Sequence, residues 1–219
     1  TLFRSPPKHK LVGIDASGLE LRMLAHYMND EEFIDEILNG DIHKANQKLA
    51  GLESRDKAKT FIYALIYGAG NNKLGSVVGG NIEEGKRLRD TFMRNLPAFK
   101  KLIGRVERAS GKGHLKGLDG RKIIIRSRHS ALNALLQSGG SIAMKQALIL
   151  FDNMTRDYGA RVVGNIHDEW QVEVPDRYGL PTIIGEAGVM AIKKASEILK
   201  LNCPLDGEFK IGNNWSETH

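Results

Sequence analysis

The sequence predicts an α+β fold in which a long helical segment interrupts a core of strands. Three observations support this prediction. An apolar run over residues 10–14 indicates a strand near the start, and two more strands are indicated late in the chain, at 161–166 and 170–174. Between them, apolar residues recur mainly at helical spacing. Of the 219 residues, 41% are hydrophobic and 26% charged, which is typical of a globular chain and excludes a disordered one.

The first half of the chain is predicted to be helical behind its opening strand. Leu19, Met23 and Tyr27 repeat at helical spacing directly after that strand. Gly68 and Gly70 end the strongest helical pattern, because glycine readily adopts the backbone angles that terminate helices. The further predicted helices are short ones within residues 31–50, interrupted near Asn39-Gly40, one over 55–67, and amphipathic ones over 82–92 and 97–109.

The second half is predicted to return to strands. Asp119-Gly120 supplies the positive φ that a tight turn needs, so a hairpin is predicted at 118–121 with a strand at 123–125. The remaining predicted elements are a long helix over 130–157, the strands over 161–166 and 170–174, and a final amphipathic helix over 181–199.

Charge is distributed unevenly along the chain, whose net charge is +6. Residues 41–130 carry 20 Lys or Arg against 8 Asp or Glu, while the rest carries 12 against 18. A basic middle between acidic ends favours a part that binds a polyanion and a part that holds cations, although solvated charged helices give the same pattern. Cys203 is the one cysteine, so no disulfide can form within the chain. No apolar run approaches the roughly 20 residues that span a membrane.

Two carboxylates follow predicted strands that are far apart in the sequence. Asp15 ends the first strand, and Asp168 lies between the two late strands. If these strand ends converge, the pair can hold two Mg²⁺ ions, because Asp is a hard oxygen ligand on a short side chain. Taken singly, each residue is more typical of a turn or a helix cap.

A polar stripe recurs every fourth residue on the predicted helix over 55–67. Arg55, Lys59, Tyr63 and Tyr67 lie on one side of it, since each step of four drifts by only about 40° around the axis. Cations are rarely fully buried, so this side does not face a core. The stripe suits a triphosphate held by the cations with a base or sugar stacked on a tyrosine. A solvated basic face is the alternative.

Three segments together resemble a known family. Asp15-Ala16-Ser17-Gly18-Leu19-Glu20-Leu21-Arg22 resembles motif A of the family A (DNA polymerase I type) DNA polymerases. Arg55-xxx-Lys59-xxx-Tyr63-xxx-Tyr67-Gly68 resembles motif B, and His167-Asp168-Glu169 resembles motif C. Secondary features also agree, namely Gly40-Asp41-Ile42-His43, Leu118-Asp119-Gly120-Arg121, Asn133-xxx-Gln137, Trp215 and His219. The resemblance covers essentially the whole chain and is strongest to the phage branch.

The resemblance implies a role for each matching residue. Asp15 and Asp168 would hold two Mg²⁺ ions for nucleotidyl transfer, and Lys59 would be a candidate general acid. The dNTP would be bound by Arg55, Lys59, Tyr63 and His43, with Glu20 as the steric gate against a 2′-hydroxyl. Primer-template DNA would be contacted by Tyr67, Asn133, Gln137, His167 and Arg121.

The resemblance also implies the domain organisation. Residues 1–40 and 131–219 would form the palm, whose sheet is antiparallel, and residues 41–130 the helical fingers of a right-hand polymerase fold. Complete members carry a thumb and usually an exonuclease-like domain before motif A, whereas only 14 residues precede Asp15 here. We therefore expect palm and fingers alone, with the thumb on a separate or removed N-terminal portion.

Two rival functions stay open on the sequence. One is a non-catalytic or weakly active half of a split polymerase, which needs an N-terminal partner chain. The other is a single-subunit RNA polymerase, against which Glu20 and Glu169 argue. In each case the expected partners are nucleic acid and nucleotides rather than a membrane, and the expected location is the cytoplasm of a bacterium or a phage-infected host.

Overall fold

A computed structural model describes residues 3–219, so Thr1 and Leu2 lie outside the described residues. The chain forms two compact units. The first contains the described residues up to Arg22 together with residues 140–219, and the second contains residues 23–139. The strands are β1 (His9–Ala16), β2 (His114–Lys116), β3 (Lys122–Ile124), β4 (Arg161–Ile166), β5 (Glu169–Pro175) and β6 (Gly207–Gly212). The helices are α1 (Leu19–Met28), α2 (Glu31–Leu38), α3 (Ile42–Ala50), α4 (Arg55–Ile66), α5 (Asn71–Val77), α6 (Ile82–Asn95), α7 (Pro97–Ser110), α8 (Ala131–Thr155), α9 (Leu180–Ile198) and α10 (Trp215–Thr218).

The first unit is built on a four-stranded sheet in the order β4-β5-β1-β6, with every neighbouring pair antiparallel. Val12, Ile14, Trp170 and Val172 are completely buried on one face of its two central strands. The other face carries polar residues, because side chains alternate along a strand. The apolar face therefore forms the core of this unit, and the opposite face carries Asp15, Glu169 and Gln171.

Helix α9 packs closely against the apolar face. A Cβ at Gly188 would lie 2.5 Å from Ile14 Cδ1, and one at Gly185 would overlap the Phe209 ring. Such distances leave no room for a side chain, so these two glycines allow the helix to approach the sheet.

The second unit is mainly helical. Its core contains Phe61, Phe92 and Phe99, whose rings pack edge to face with centroids 5.9 and 5.4 Å apart. Helices α5 and α6 approach each other at Gly75 and Gly85, where a Cβ on either glycine would overlap backbone of the other helix or of the turn before it. Strands β2 and β3 form a separate two-stranded hairpin.

The structure confirms the predicted fold class: an antiparallel sheet and a large helical segment between its first and later strands. The elements predicted from periodicity agree to within a few residues. The helix at 181–199 is not the final element, however, because β6 and α10 follow it. Helix α5 was also not predicted, since its sequence Asn-Asn-Lys-Leu-Gly-Ser-Val has weak helix propensity and depends on packing against α6.

The domain boundaries at 40/41 and 130/131 stay a prediction, since the two compact units change at different positions, after Arg22 and after Gly139. Across residues 3–219, none of the helices combines the length and apolar character required to cross a bilayer. Cys203 is buried as a free thiol.

Candidate active site

Three carboxylates form a row across the polar face of the sheet in the first unit. Asp15, near the end of β1, pairs with Glu169 of β5 on one side and with Glu208 of β6 on the other. Residues that lie directly opposite each other in antiparallel strands project their side chains from the same face. Like charges in these positions repel, so the row is unfavourable unless positive charge compensates it.

The pKa of Asp15 shows the effect of this row. Burial, followed by the charges of Asp168, Glu169 and Glu208, raises the pKa of Asp15 from 3.8 to about 6, and His219 opposes this rise. Asp15 is half-buried, so water screens the repulsion only in part. The site thus concentrates negative charge on oxygen atoms.

Asp168 joins this row from the turn between β4 and β5. Ile166 pairs with Glu169, so His167 and Asp168 form a two-residue turn, in which His167 has a φ of 54°. The amide of Ala16 donates a hydrogen bond of 3.0 Å to the carbonyl of Asp168, which ties the turn to the end of β1. The two carboxylates predicted as a pair are therefore brought together in one unit.

The surroundings of Asp168 are also acidic. Burial and the charges of Glu20 and Glu169 raise the pKa of Asp168, while a backbone hydrogen bond and His167 oppose the rise. Glu20, in the first turn of α1, thus acts electrostatically on Asp168. The structure brings Glu20 and His167 to the same end of the sheet as the two aspartates.

The residues fit the chemistry of Mg²⁺. Mg²⁺ binds through one or two protein carboxylates and completes its shell with water and substrate phosphates. Among residues 3–219, no group of three or more His, Cys, Asp or Glu side chains is arranged to hold a metal ion. Two half-buried aspartates with raised pKa values therefore match a site that shares its metals with a substrate.

A cationic cluster lies in the second unit around the start of α4. Ser54 caps this helix by accepting a hydrogen bond of 3.3 Å from the amide of Lys57. Arg55 Nε donates to both carboxylate oxygens of Asp41, over 2.9 and 3.2 Å. The same Asp41 caps α3, accepting from the amides of His43 and Lys44 over 3.0 and 3.2 Å. Arg55 is thus held beside the first turn of α3.

His43 lies within the field of both cations of the predicted stripe. Burial and the charges of Arg55 and Lys59 lower the pKa of His43, and Asp41 raises it. The His43 ring also lies against Tyr63, with ring centroids 6.3 Å apart. Four residues predicted to bind a nucleotide, Arg55, Lys59, Tyr63 and His43, are therefore neighbours in the second unit.

The residues predicted to contact DNA are distributed over both units. Gln137 Nε2 donates to the Tyr67 hydroxyl over 3.3 Å, and Asn133 lies one turn earlier on α8. Arg121 forms an ion pair with Asp119 in the β2–β3 turn, with a contact of 2.6 Å. His167 belongs to the first unit. Tyr67 and Gln137 are therefore in contact.

Sequence patterns assign no role to two residues of these sites. Asp41 lies within a matching motif but has no role there, yet in the structure it binds Arg55 and caps α3. Glu208 lies opposite Asp15 but sits on the unpredicted strand β6. The alternation Glu208-Phe209-Lys210-Ile211 could have signalled that strand.

Comparison with known proteins decides the family. A sequence model of DNA polymerase family A matches residues 1–217. The chain belongs to DNA polymerase family A. The predicted relationship is thereby confirmed over almost the whole sequence.

The family A relatives include phage enzymes. The chain is 41% identical to a DNA-directed DNA polymerase of Escherichia phage Phieco32 over 97% of its own length and 40% of the relative's. It is 39% identical to that of Escherichia phage T7 over 94% of its length and 33% of the relative's. The chain therefore spans at most two fifths of these two relatives.

A solved structure shares the fold. It is the POL domain of Pol1 from M. smegmatis in complex with DNA primer-template and dNTP, with a TM-score of 0.86 over 99% of this chain and 42% of that one. The sequence identity is 22%, so the likeness concerns the fold.

Proposed function

We propose that this chain carries the nucleotidyl-transfer centre of a DNA polymerase, which adds dNMP from a dNTP to a primer 3′-hydroxyl under the direction of a template. The observation that carries the proposal is the convergence of Asp15 and Asp168 at one end of the antiparallel sheet, where Asp15 also lies in a row with Glu169 and Glu208. Membership of family A and the phage relatives support the same reaction.

The first unit would supply the metal ligands. Asp15 and Asp168 would hold two Mg²⁺ ions, whose chemistry is to favour the ionised primer hydroxyl and to neutralise the triphosphate and the leaving pyrophosphate. The raised pKa of Asp15 supports this role, because bound divalent cations would replace the repulsion with attraction. Glu20, which acts on Asp168, would exclude nucleotides that carry a 2′-hydroxyl.

The second unit would bind the nucleotide. Arg55 and Lys59 would neutralise its phosphates, with His43 as a further phosphate contact and Lys59 as the proton donor to the leaving group. Tyr63 would stack at the sugar and base. Since Arg55 is paired with Asp41, a triphosphate would compete with that carboxylate for the guanidinium.

The remaining predicted residues would contact the nucleic acid. Tyr67 and Gln137, which share a hydrogen bond, would lie at the templating base, with Asn133 on the same helix as Gln137. His167 and Arg121 would contact the primer or template strand. We also retain the proposed palm (1–40 and 131–219) and fingers (41–130), and we place the reaction in the cytoplasm of a bacterium or a phage-infected host.

Primer extension at low salt with dNTPs and Mg²⁺ tests the proposal. The matched control is Asp168→Asn, which removes a metal ligand at nearly constant volume. We expect extension by the wild-type chain and none by the variant, with folding and DNA binding retained. Near-normal activity of the variant would show that the two-metal assignment is wrong.

A second candidate is favoured by the share of the relatives that this chain spans, between 33% and 40% for the two phage enzymes. In this view residues 1–219 supply the palm and fingers, and activity needs the part of a polymerase that grips the duplex as well. A thumb would grip the duplex mainly through phosphates, so residues 1–219 tested without one should bind DNA weakly. Extension that appears only after a thumb-bearing segment is added would support this candidate.

A further inference from the structure

Glu169 is a buried carboxylate that has no role in the proposed nucleotidyl transfer. It follows Asp168 directly and lies opposite Asp15 in the pairing of β1 with β5. Its side chain is only 7% exposed. Burial of a carboxylate is costly unless hydrogen bonds compensate it, so the groups that contact Glu169 indicate what it does.

Three donors hold this carboxylate. Trp215 Nε1 donates to Oε1 over 3.0 Å, and Gln171 Nε2 donates to the same oxygen. His219 Nδ1 contacts Oε2, which requires a proton on that nitrogen. Three donors thus occupy most of the positions at which the Glu169 carboxylate can accept hydrogen bonds.

Two of these donors belong to residues 213–219, here called the tail segment, which packs on the polar face of the sheet. Thr218 Oγ1 donates to Gln171 Oε1 over 2.8 Å, and Lys210 Nζ donates to the backbone oxygen of His219 over 2.9 Å. A Cβ at Gly13 would overlap the carbonyl of Thr218, so glycine allows this close approach. The tail segment is therefore fixed to the strands that carry the carboxylate row.

The turn that presents Asp168 is preceded by β4, which pairs with only one other strand of the sheet. Strand β4 is an edge strand whose residues 161–163 are exposed, and its register with β5 shifts between Val162 and Gly164. The turn is tied to β1 through the bond from Ala16 to the Asp168 carbonyl. Glu169 provides a second anchor, one residue from Asp168.

We propose that Glu169 is a positioning residue. Hydrogen bonds from the tail segment hold its carboxylate in place, and they thereby fix the β4–β5 turn from which Asp168 projects. The inference rests on the proposed function, because that function makes Asp168 a metal ligand. The inference assigns Glu169 no direct metal contact, because Trp215, Gln171 and His219 already use three of the roughly four lone-pair positions on its oxygens. Groups that orient metal ligands in this way commonly change metal affinity or activity about 10- to 100-fold when they are lost.

The test is the double variant Trp215→Phe with His219→Gln. It removes two donors to Glu169 and leaves Asp15, Asp168 and Glu169 themselves unchanged. Glu217→Gln is the matched control, because Glu217 lies in the tail segment but accepts hydrogen bonds from Asn213 and Asn214 rather than binding Glu169. Mn²⁺ binding to the protein alone is measured by electron paramagnetic resonance, and kcat and KM for dNTP are measured in primer extension.

We expect the double variant to bind Mn²⁺ about tenfold more weakly and to lose kcat by a similar factor, with KM for dNTP within about twofold. The control should match the wild type in both measurements. A folded double variant with unchanged or tighter Mn²⁺ binding would overturn the inference, whatever its kcat. If the double variant fails to fold, each single variant is judged by the same criterion.

Asp168→Asn separates this inference from the function on which it rests. If Asp168→Asn weakens Mn²⁺ binding and the tail variants do not, only the positioning role is lost. If Asp168→Asn binds Mn²⁺ as the wild type does, the proposed metal site is wrong, and the positioning role is overturned with it.

Discussion

Asp15 illustrates how the candidate site is held at a cost to stability. Its carboxylate lies between Glu169 and Glu208 and near Asp168, and in the absence of cations this arrangement favours the protonated form. Of these neighbours, Glu169 has its charge compensated by the tail segment. The charge density that would attract Mg²⁺ is the same one that destabilises the metal-free protein.

A pH dependence of stability follows for Asp15. Its pKa is about 6 in the folded chain, compared with an ordinary value of 3.8 for an aspartate in water, so the folded state binds the proton more tightly. The wild type should therefore lose stability as pH rises from about 4 to 6, relative to Asp15→Asn, and the difference should then stay constant. Because the group is half-exposed, we expect on the order of 1 kcal/mol in favour of the variant at pH 7.

Urea unfolding between pH 4 and pH 8 in the presence of a chelator measures this difference. Asp157→Asn removes an exposed carboxylate outside the row and is the control. Equal stabilities of wild type and Asp15→Asn at pH 7 would contradict the unfavourable field at Asp15.

Sugar selection is a second prediction at the scale of one residue. Glu20→Ala should raise ribonucleotide incorporation by about tenfold or more, since it removes the side chain proposed to exclude the 2′-hydroxyl. The ratio of kcat/KM for dNTP to that for rNTP is the measurement, with Glu31→Ala on α2 as the control. Unchanged selectivity would remove Glu20 from this role, and a wild type that prefers rNTPs would favour the RNA polymerase alternative.

At the scale of elements, the contact between α9 and β1 holds the strand that carries Asp15. Gly188 lies against Ile14, which immediately precedes Asp15. Helix α9 also covers Phe209 of β6 through Gly185, so one helix supports two strands of the carboxylate row. The geometry of the site thus depends on the opposite, apolar face of the sheet.

Gly188→Ala tests this support. Alanine favours a helix interior over glycine by roughly 0.5–1 kcal/mol, whereas overpacking a tight contact costs about 1–3 kcal/mol. A Cβ 2.5 Å from Ile14 makes overpacking the larger effect, so we expect net destabilisation of about 1 kcal/mol. Thermal unfolding measures it, beside Glu186→Ala at an exposed position of the same helix. A higher melting temperature for Gly188→Ala would mean that the contact relaxes.

At the scale of the whole molecule, charge is divided between the segments. Residues 41–130 have a balance of +12, from 20 basic and 8 acidic residues, and the remainder has a balance of −6. Four of the five proposed nucleotide contacts lie in the basic segment, whereas both proposed metal ligands lie in the acidic remainder. Each part has the charge that its proposed ligand requires.

Binding of primer-template DNA should accordingly depend strongly on salt. If about four phosphates are contacted, affinity should fall about a hundredfold between 50 and 200 mM salt, because each contact releases condensed counterions. Fluorescence anisotropy across this range measures the slope. A slope near zero would show that phosphate contacts do not hold the DNA, and a thumb-bearing segment should raise the affinity at every salt concentration.

Local sequence patterns predict several elements of this fold. Periodicity and turn residues report structure over a few neighbouring positions, and they predict that β1 ends near Asp15, that a polar stripe lies on α4 and that the chain turns at His167-Asp168. The three motifs at residues 15–22, 55–68 and 167–169, in that order, indicate the family from the sequence alone. Helix α5 does not follow from local sequence, because its helix propensity is weak and it depends on packing against α6. Strand β6 does carry the alternation of a strand, but only its pairing with β1 places Glu208 opposite Asp15.

Tertiary structure alone decided which distant groups meet. The strand register placed Glu169 and Glu208 opposite Asp15, the capping of α3 brought Asp41 to Arg55, and the tail segment brought Trp215 and His219 to Glu169. These contacts join residues separated by up to 193 positions, as Asp15 and Glu208 are. No local periodicity encodes such pairs, since register and burial are fixed only when the whole sheet and its core assemble.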